Sequence, residues 1–201
     1  MTTAQDLAIV ALGMAPRLPV EQGDLSLALA GAEVLDLMEA NALVVDGDRI
    51  LPSAQAPTGD GLLDQAAGAL RRQEPYESVE DWLWRRGRGL STAYVDELER
   101  AGLAARPRGR RIPLRTGHTD LVDSAARTRA EARWAAGEPV LAALASEAGI
   151  RDEPVEDTPQ LVVDAVAVVL AAVGGAVQEL RAVRQRRAIE DAAFDNVWRG
   201  Y

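Results

Sequence analysis

The chain has 201 residues and a formal net charge of −9, and 48% of its residues are hydrophobic although only 4% are aromatic. This composition predicts a mainly α-helical fold, one domain over 1–201, with a core of Ala, Val and Leu. The absence of cysteine excludes disulfides and thiolate-bound metals, and the acidic balance argues against general nucleic-acid binding.

The first quarter of the chain predicts two helices and a β-hairpin. Residues 4–14 are apolar and end before Pro16, and Asp24 is placed to cap a second helix that runs to about Asn41. An Asp-Gly pair within 43–51, between β-branched runs, is a strong signal for a two-residue hairpin turn.

The middle of the chain predicts three further short helices. A turn with proline and glycine precedes a helix over about 60–72, which Thr58 or Asp60 can cap. Ser78 can cap the next helix, which nearby glycines end, and a short helix follows over 92–101.

A second hairpin is predicted over 103–114. A helix followed by a hairpin also occurs in winged-helix DNA-binding proteins, where a recognition helix contacts DNA. Here the preceding helix carries Asp96, Glu97 and Glu99, whose negative charges would repel the phosphates of DNA. We therefore expect no nucleic-acid partner.

The rest of the chain predicts helices at both ends of an acidic, proline-bearing linker. In order, these segments are helices over 124–136 and 139–148, the linker 151–159, a long helix over 159–190 and a C-terminal tail over 190–201. The long helix contains an apolar run, Ala165–Val177, which is shorter than the roughly 20 residues of a membrane span. The run predicts a helix buried on all sides within the core.

No set of residues predicts catalysis. The lone histidine, His118, lies in a turn-like stretch, and neither Ser91, Ser124 nor Ser146 lies in a nucleophile-elbow pattern. Metal-ligand spacings and a phosphate-binding glycine loop are also missing from the sequence. We expect no enzyme activity, no cofactor and no metal.

A basic cluster beside two tryptophans is the best binding candidate. Residues 71–115 hold 11 Arg and 7 acidic residues, so this segment is basic within an acidic chain. Arg85, Arg86 and Arg88 adjoin Trp84, and arginine suits phosphate while tryptophan suits membrane interfaces. The alternative is that Trp82 belongs to the core and the arginines are merely solvated.

Three stretches of the chain resemble the Golgi phosphoprotein 3 family (GPP34 domain), which has bacterial members. The most specific is Ala56–Asp64, Ala-Pro-Thr-Gly-Asp-Gly-Leu-Leu-Asp. The supporting stretches are Leu29–Leu37 ahead of the first hairpin, and Ser78–Leu83 leading to Leu98–Leu103. The similarity covers about residues 5–180.

The resemblance implies a helical bundle ringed by amphipathic helices and a hairpin, here 103–114, that can mediate homo-oligomer contacts. Eukaryotic members are cytosolic adaptors that bind phosphatidylinositol 4-phosphate and retain glycosyltransferases in the Golgi. Their lipid pocket uses a Trp and an Arg near the second helix and two Arg near a later one. At the corresponding places this chain has Glu21 and Ala30, then Arg88 and Ser91.

Two functions follow from the sequence. The first is a non-catalytic peripheral membrane adaptor that binds anionic lipid headgroups through Arg85, Arg86, Arg88 and Trp84. Such an adaptor would be cytoplasmic or lie on the inner face of the membrane. It would lack most of the family's phosphoinositide pocket. The second is a cytosolic helical scaffold that binds protein partners without lipid.

Overall fold

The computed structural model describes residues 2–14, 20–54, 57–105, 119–150 and 164–199. They form eight helices and two short strand pairs, which confirms a mainly α fold. In chain order the elements are α1 (Thr3–Met14), α2 (Gln22–Glu39), β1 (Leu43–Asp46), β2 (Arg49–Pro52), α3 (Gly61–Gly68), α4 (Val79–Arg86), α5 (Leu90–Arg100), β3 (Ala104–Ala105), β4 (Asp120–Leu121), α6 (Ala125–Ala135), α7 (Pro139–Glu147) and α8 (Asp164–Arg199).

Helix α2 lies at the centre of the bundle. It contacts α1, α3, α4, α5, α7 and α8, and every residue from Ser26 to Leu37 is buried. Small residues allow this crowding: a Cβ on Gly31 would lie 2.3 Å from Cγ2 of Val173 on α8. The backbones of α2 and α8 therefore approach closely where Gly31 meets Val173.

Local signals at the starts of helices act as the sequence predicts. Asp60 caps α3 by accepting hydrogen bonds from the N–H groups of Leu62 and Leu63, each at 3.0 Å. Ser78 caps α4 through the Asp81 N–H, also at 3.0 Å. Asp24 differs, because α2 already begins at Gln22 and Asp24 lies buried within its first turn.

The two strand pairs differ in how well they were predicted. β1 and β2 pair antiparallel as expected, with Val45 opposite Ile50, and the two turn residues are Gly47 and Asp48, because Asp46 still pairs with Arg49. The second pair joins Ala104–Ala105 to Asp120–Leu121, so the chain returns later than the predicted end at 114. Most of the predicted 103–114 hairpin lies outside the described residues, as does the predicted linker 151–159.

Helix α8 is longer and less enclosed than the sequence predicts. It has 36 residues and reaches Arg199, through most of the predicted tail. The run Ala165–Val177 is buried along one side and not all round, because α2, α4 and α7 all pack on that side. The buried positions include Val169, Val173 and Val177, and the exposed ones include Ala167, Ala171 and Gly175.

Among the described residues, one helix is long and apolar enough to cross a membrane. It is Ala165–Asp191, with a mean hydropathy of 1.6 in its most apolar window, of which 22% is buried. Core helices of globular proteins pass the same test, and α8 contributes its buried side to the bundle.

Candidate functional site

A groove of about 320 Å³ lies where α2 begins, α4 ends, α5 begins and α8 passes. Trp84 and Arg88 line it from the α4–α5 side, Gln22 and Gly23 from α2, and Leu180 from α8. Trp84 is half-buried against the core, whereas Arg88 is exposed. The groove thus combines an apolar wall with a cation at its mouth.

The turn that carries Arg88 is fixed by its two glycines. A Cβ on Gly87 would lie 2.6 Å from the Leu83 carbonyl oxygen and 3.3 Å from that of Ser26, so the turn fits against α2 only as glycine. Gly89 has φ +71°, in the left-handed region that favours glycine. Arg88 is held between these two positions.

The first turn of α5 is fixed to α2 by a pair of serines. Gly89 supplies no side-chain cap; instead the Ser91 N–H donates to the Ser26 hydroxyl at 3.1 Å. The two hydroxyl oxygens lie 2.9 Å apart, and the Ser26 hydroxyl donates to the Gln22 carbonyl at 2.7 Å. The start of α5 therefore has a fixed place in the groove wall.

Arg85, one of the predicted site residues, is already paired within the chain. Its guanidinium forms two hydrogen bonds to the Glu77 carboxylate, at 2.6 and 2.7 Å, and lies 5.0 Å above the ring of Trp82. The paired Glu77 raises the pKa of Arg85. Trp82 is a core residue, fully buried, and its indole N–H donates to the Ala30 carbonyl.

Arg86 points into the bundle and not into the groove. It donates two hydrogen bonds to Glu33 at 2.7 and 2.8 Å, and a third to the Leu62 carbonyl. Tyr94 also donates to Glu33, at 3.2 Å. Burial raises the pKa of Glu33, whereas the hydrogen bonds and charge of Arg86 act to lower it.

Arg88 has no such partner. Among the described residues, no hydrogen bond or ion pair is formed by its guanidinium. The structure thus brings two of the four predicted site residues, Trp84 and Arg88, together in the groove. The other two, Arg85 and Arg86, form ion pairs beside it.

An ion-pair cluster borders the groove on its α2–α8 side. Asp24, with 2% of its side chain exposed, pairs with both Arg181 and Arg184, and Arg184 also pairs with Glu21 at 2.9 Å. The partners are separated by 157 to 163 positions, so no local pattern in the sequence connects them. An acidic first turn on α2 and an arginine-rich stretch on α8 were the available signals.

The described residues show no arrangement suited to covalent or metal chemistry. Ser91 is buried against Ser26, and Ser124 caps α6 through the Arg127 N–H. No group of three or more His, Cys, Asp or Glu side chains in this part of the chain could hold a metal ion. His118 lies outside the described residues.

The stretches behind the family resemblance have clear structural roles. Thr58 donates from its N–H and hydroxyl to the Asp64 carboxylate, at 2.7 and 2.8 Å, and these bonds lower the pKa of Asp64. Together with the Asp60 cap, they fix the turn into α3. The 29–37 stretch is the buried middle of α2.

Two comparisons with known proteins concern the family of this chain. A search of curated proteins finds no significant match. The sequence model of the family described as Golgi phosphoprotein 3 (GPP34) matches residues 4–192, which is most of the chain. The chain therefore belongs to the Golgi phosphoprotein 3 (GPP34) family.

Proposed function

We propose that this protein is a non-catalytic adaptor that docks on anionic membrane surfaces through the groove. The observation that carries the proposal is the exposed Arg88, which has no hydrogen-bond or ion-pair partner among the described residues, beside the half-buried Trp84. A guanidinium free of internal partners can bind a phosphate oxygen, and an indole suits the headgroup region of a bilayer. On this proposal the protein is cytoplasmic and associates with the inner face of the membrane.

Helix α8 supports the same orientation. Its Leu180 lines the groove, and the side of its apolar stretch that faces away from the bundle, with Ala167, Ala171 and Gly175, is exposed. A membrane-facing surface that joins a cation, a tryptophan and an apolar helix resembles peripheral proteins that combine electrostatic and apolar contacts. Arg88 would then supply the electrostatic part of the interaction.

Co-sedimentation with vesicles tests this proposal. We expect binding to phosphatidylcholine vesicles that contain phosphatidylglycerol, and we expect it to weaken as salt rises, because surface electrostatics are screened. Arg88→Ala should abolish most of the binding. Arg100→Ala is the matched control, since Arg100 is also exposed, lies at the other end of α5 and pairs with Glu97.

The second candidate is a cytosolic scaffold that binds protein partners without lipid. The ion pairs of Arg85 and Arg86 favour it, because two of the three predicted lipid-binding arginines are already paired with carboxylates of this chain. Failure of the chain to bind anionic vesicles at low salt would reject the membrane proposal and leave the scaffold. Equal binding by Arg88→Ala and the unaltered chain would reject the groove as the docking site.

A further inference from the structure

We infer that helix α8 is a self-association surface, on which α8 of a second copy of this chain packs antiparallel about a two-fold axis at Ala182. The inference goes beyond the proposed membrane function and does not depend on it. It follows from the exposure of the second half of α8 and from the charges on its outward side.

The second half of α8 projects beyond the bundle. All the residues of 185–191 are exposed, whereas Val169, Val173 and Val177 in the first half are buried. A helix alone in water is only marginally stable, and helices in proteins gain most of their stability by packing one face. The projecting half of α8 has no such packing partner among the described residues.

One face with a seven-residue spacing runs along both halves of α8. Gly175, Ala182 and Ile189 recur every seven positions and are all exposed, Ile189 by 62%. A seven-residue repeat keeps two supercoiled helices in contact along their length. We call these three residues the outer face, and the small residues at 175 and 182 allow a second helix to approach closely.

The charges beside the outer face are complementary to themselves. Glu179 precedes Ala182 by three positions and Arg186 follows it by four, so both lie on the same side of α8 as Ala182. Both are exposed, and neither forms an ion pair among the described residues. In an antiparallel pair, Glu179 of each copy lies opposite Arg186 of the other, whereas a parallel pair would place like charges at the same level.

An antiparallel pair also fits the length of α8. Ala182 follows the first residue of the helix, Asp164, by 18 positions and precedes the last, Arg199, by 17. The projecting half of each copy therefore lies along the half of the other copy that packs in its own bundle. Leu180 is on the opposite side of α8 from Ala182, because two residues turn an α-helix by about 200°, so the groove stays open.

Sedimentation-velocity ultracentrifugation of the full chain tests the association. We expect a dimer that dissociates on dilution, since the same surface is used on both copies. Arg186→Glu should raise the dissociation constant about tenfold, because two ion pairs become two contacts between like charges. Arg187→Glu is the matched control: it makes the same charge change at the next, also exposed, arginine, which lies on a different side of the helix, and it should have little effect.

A second charge reversal tests the antiparallel order. Glu179→Arg should weaken the dimer as Arg186→Glu does, and the variant with both changes should regain most of the lost affinity, because the two pairs form again with their signs exchanged. Circular dichroism checks that all three variants keep their helix content. A double variant that dimerises no better than the single ones would overturn the inference.

Single introduced cysteines report the orientation, because the chain has none of its own. Ala182→Cys should give a disulfide-linked dimer on mild oxidation. Gly175→Cys should not, because in the antiparallel pair the two copies of position 175 lie about 21 Å apart along the helix axis. Cross-linking of both variants would show a parallel pair and overturn the inference.

Two other occupants of the outer face, or sites of association, are distinguished by the same measurements. A chain that is monomeric at every concentration would overturn the inference, and loss of vesicle binding in Ile189→Asp would then assign the outer face to the membrane. A dimer that none of the α8 changes weakens would also overturn it and would point to the predicted hairpin over 103–114.

Discussion

Glu33 on α2 and Arg86 on α4 form a paired set of hydrogen bonds inside the bundle, with the Glu33 side chain fully buried and 16% of the Arg86 side chain exposed. The residue two positions later, Arg88, is exposed and unpaired among the described residues. Two arginines in the same short segment therefore have opposite roles.

Arg86→Ala should destabilise the protein by about 3 kcal/mol or more, because it leaves a buried carboxylate without its partner. Arg88→Ala should change the free energy of unfolding by less than about 0.5 kcal/mol. Urea denaturation of both variants measures the contrast. Similar losses in the two variants would show that the Glu33 ion pair does not set the stability of this region.

Asp36 should make stability depend on pH in the direction opposite to ordinary acid denaturation. Asp36 is buried, and its carboxylate accepts hydrogen bonds from the N–H groups of Thr3 and Ala4. Burial raises the pKa of Asp36 by more than these hydrogen bonds lower it, so the net shift is upward. A raised pKa in the folded state contributes stability at low pH, and this contribution is lost as pH rises through that pKa.

The comparison with Asp36→Asn isolates this effect. The free energy of unfolding of the unaltered chain, minus that of the variant, should be largest below about pH 4 and should fall as pH rises toward neutrality. Urea denaturation over this range measures the difference. A difference that grows with pH would mean that the hydrogen bonds from α1 outweigh burial.

Gly31→Ala should destabilise the contact between α2 and α8 by about 1 to 3 kcal/mol, since the new methyl would overlap Cγ2 of buried Val173. Adding Val173→Ala removes the overlapping methyl group. The free energy of unfolding of the double variant should therefore fall by less than the sum of the decreases in the two single variants.

The matched control for Gly31→Ala is Gly175→Ala. A Cβ at Gly175 on α8 meets nothing within 4 Å, so this change should stabilise the helix by about 0.5 to 1 kcal/mol. Thermal or urea unfolding distinguishes the two glycines. A loss of stability in both variants would indicate that glycine substitutions in these helices are generally unfavourable, and that the Gly31 effect does not come from a specific close approach.

Asp60→Ala should lower the free energy of unfolding by about 1 kcal/mol, because two N–H groups at the start of α3 lose their acceptor. Asp60→Asn keeps a side-chain oxygen and should cost less. Urea denaturation with the unaltered chain as reference provides the test, and equal costs for the two variants would show that charge, and not the cap, is what matters.

The sequence was most informative where structure depends on neighbouring residues. Ser78 and Asp60 cap helices, and the chain turns at Gly47 directly after Asp46 to form a hairpin, because each of these interactions spans two or three positions. The 103–114 hairpin was less predictable, since strand β3 pairs with residues 120–121 across an intervening segment.

The candidate site was predictable in its residue types but not in their partners. Arg85 pairs with Glu77 only 8 positions away, whereas Arg86 pairs with Glu33 across 53. A charged residue that pairs over such a distance looks the same in sequence as one in solvent. The packing of α2 against α4 is what distinguishes the exposed Arg88 from the paired Arg86.

The distant partners of the early acidic residues have a consequence for synthesis on the ribosome. The buried carboxylate of Asp6 on α1 pairs with Arg129 and Arg133, and the buried carboxylate of Asp24 pairs with Arg181 and Arg184, all four arginines being partly exposed. Burial of these carboxylates is unfavourable until the arginines are present. Helices α1 and α2 should therefore stay unpacked, exposed to solvent or to chaperones, until the segments that carry these arginines have been synthesised, and the bundle should fold as one unit only after that.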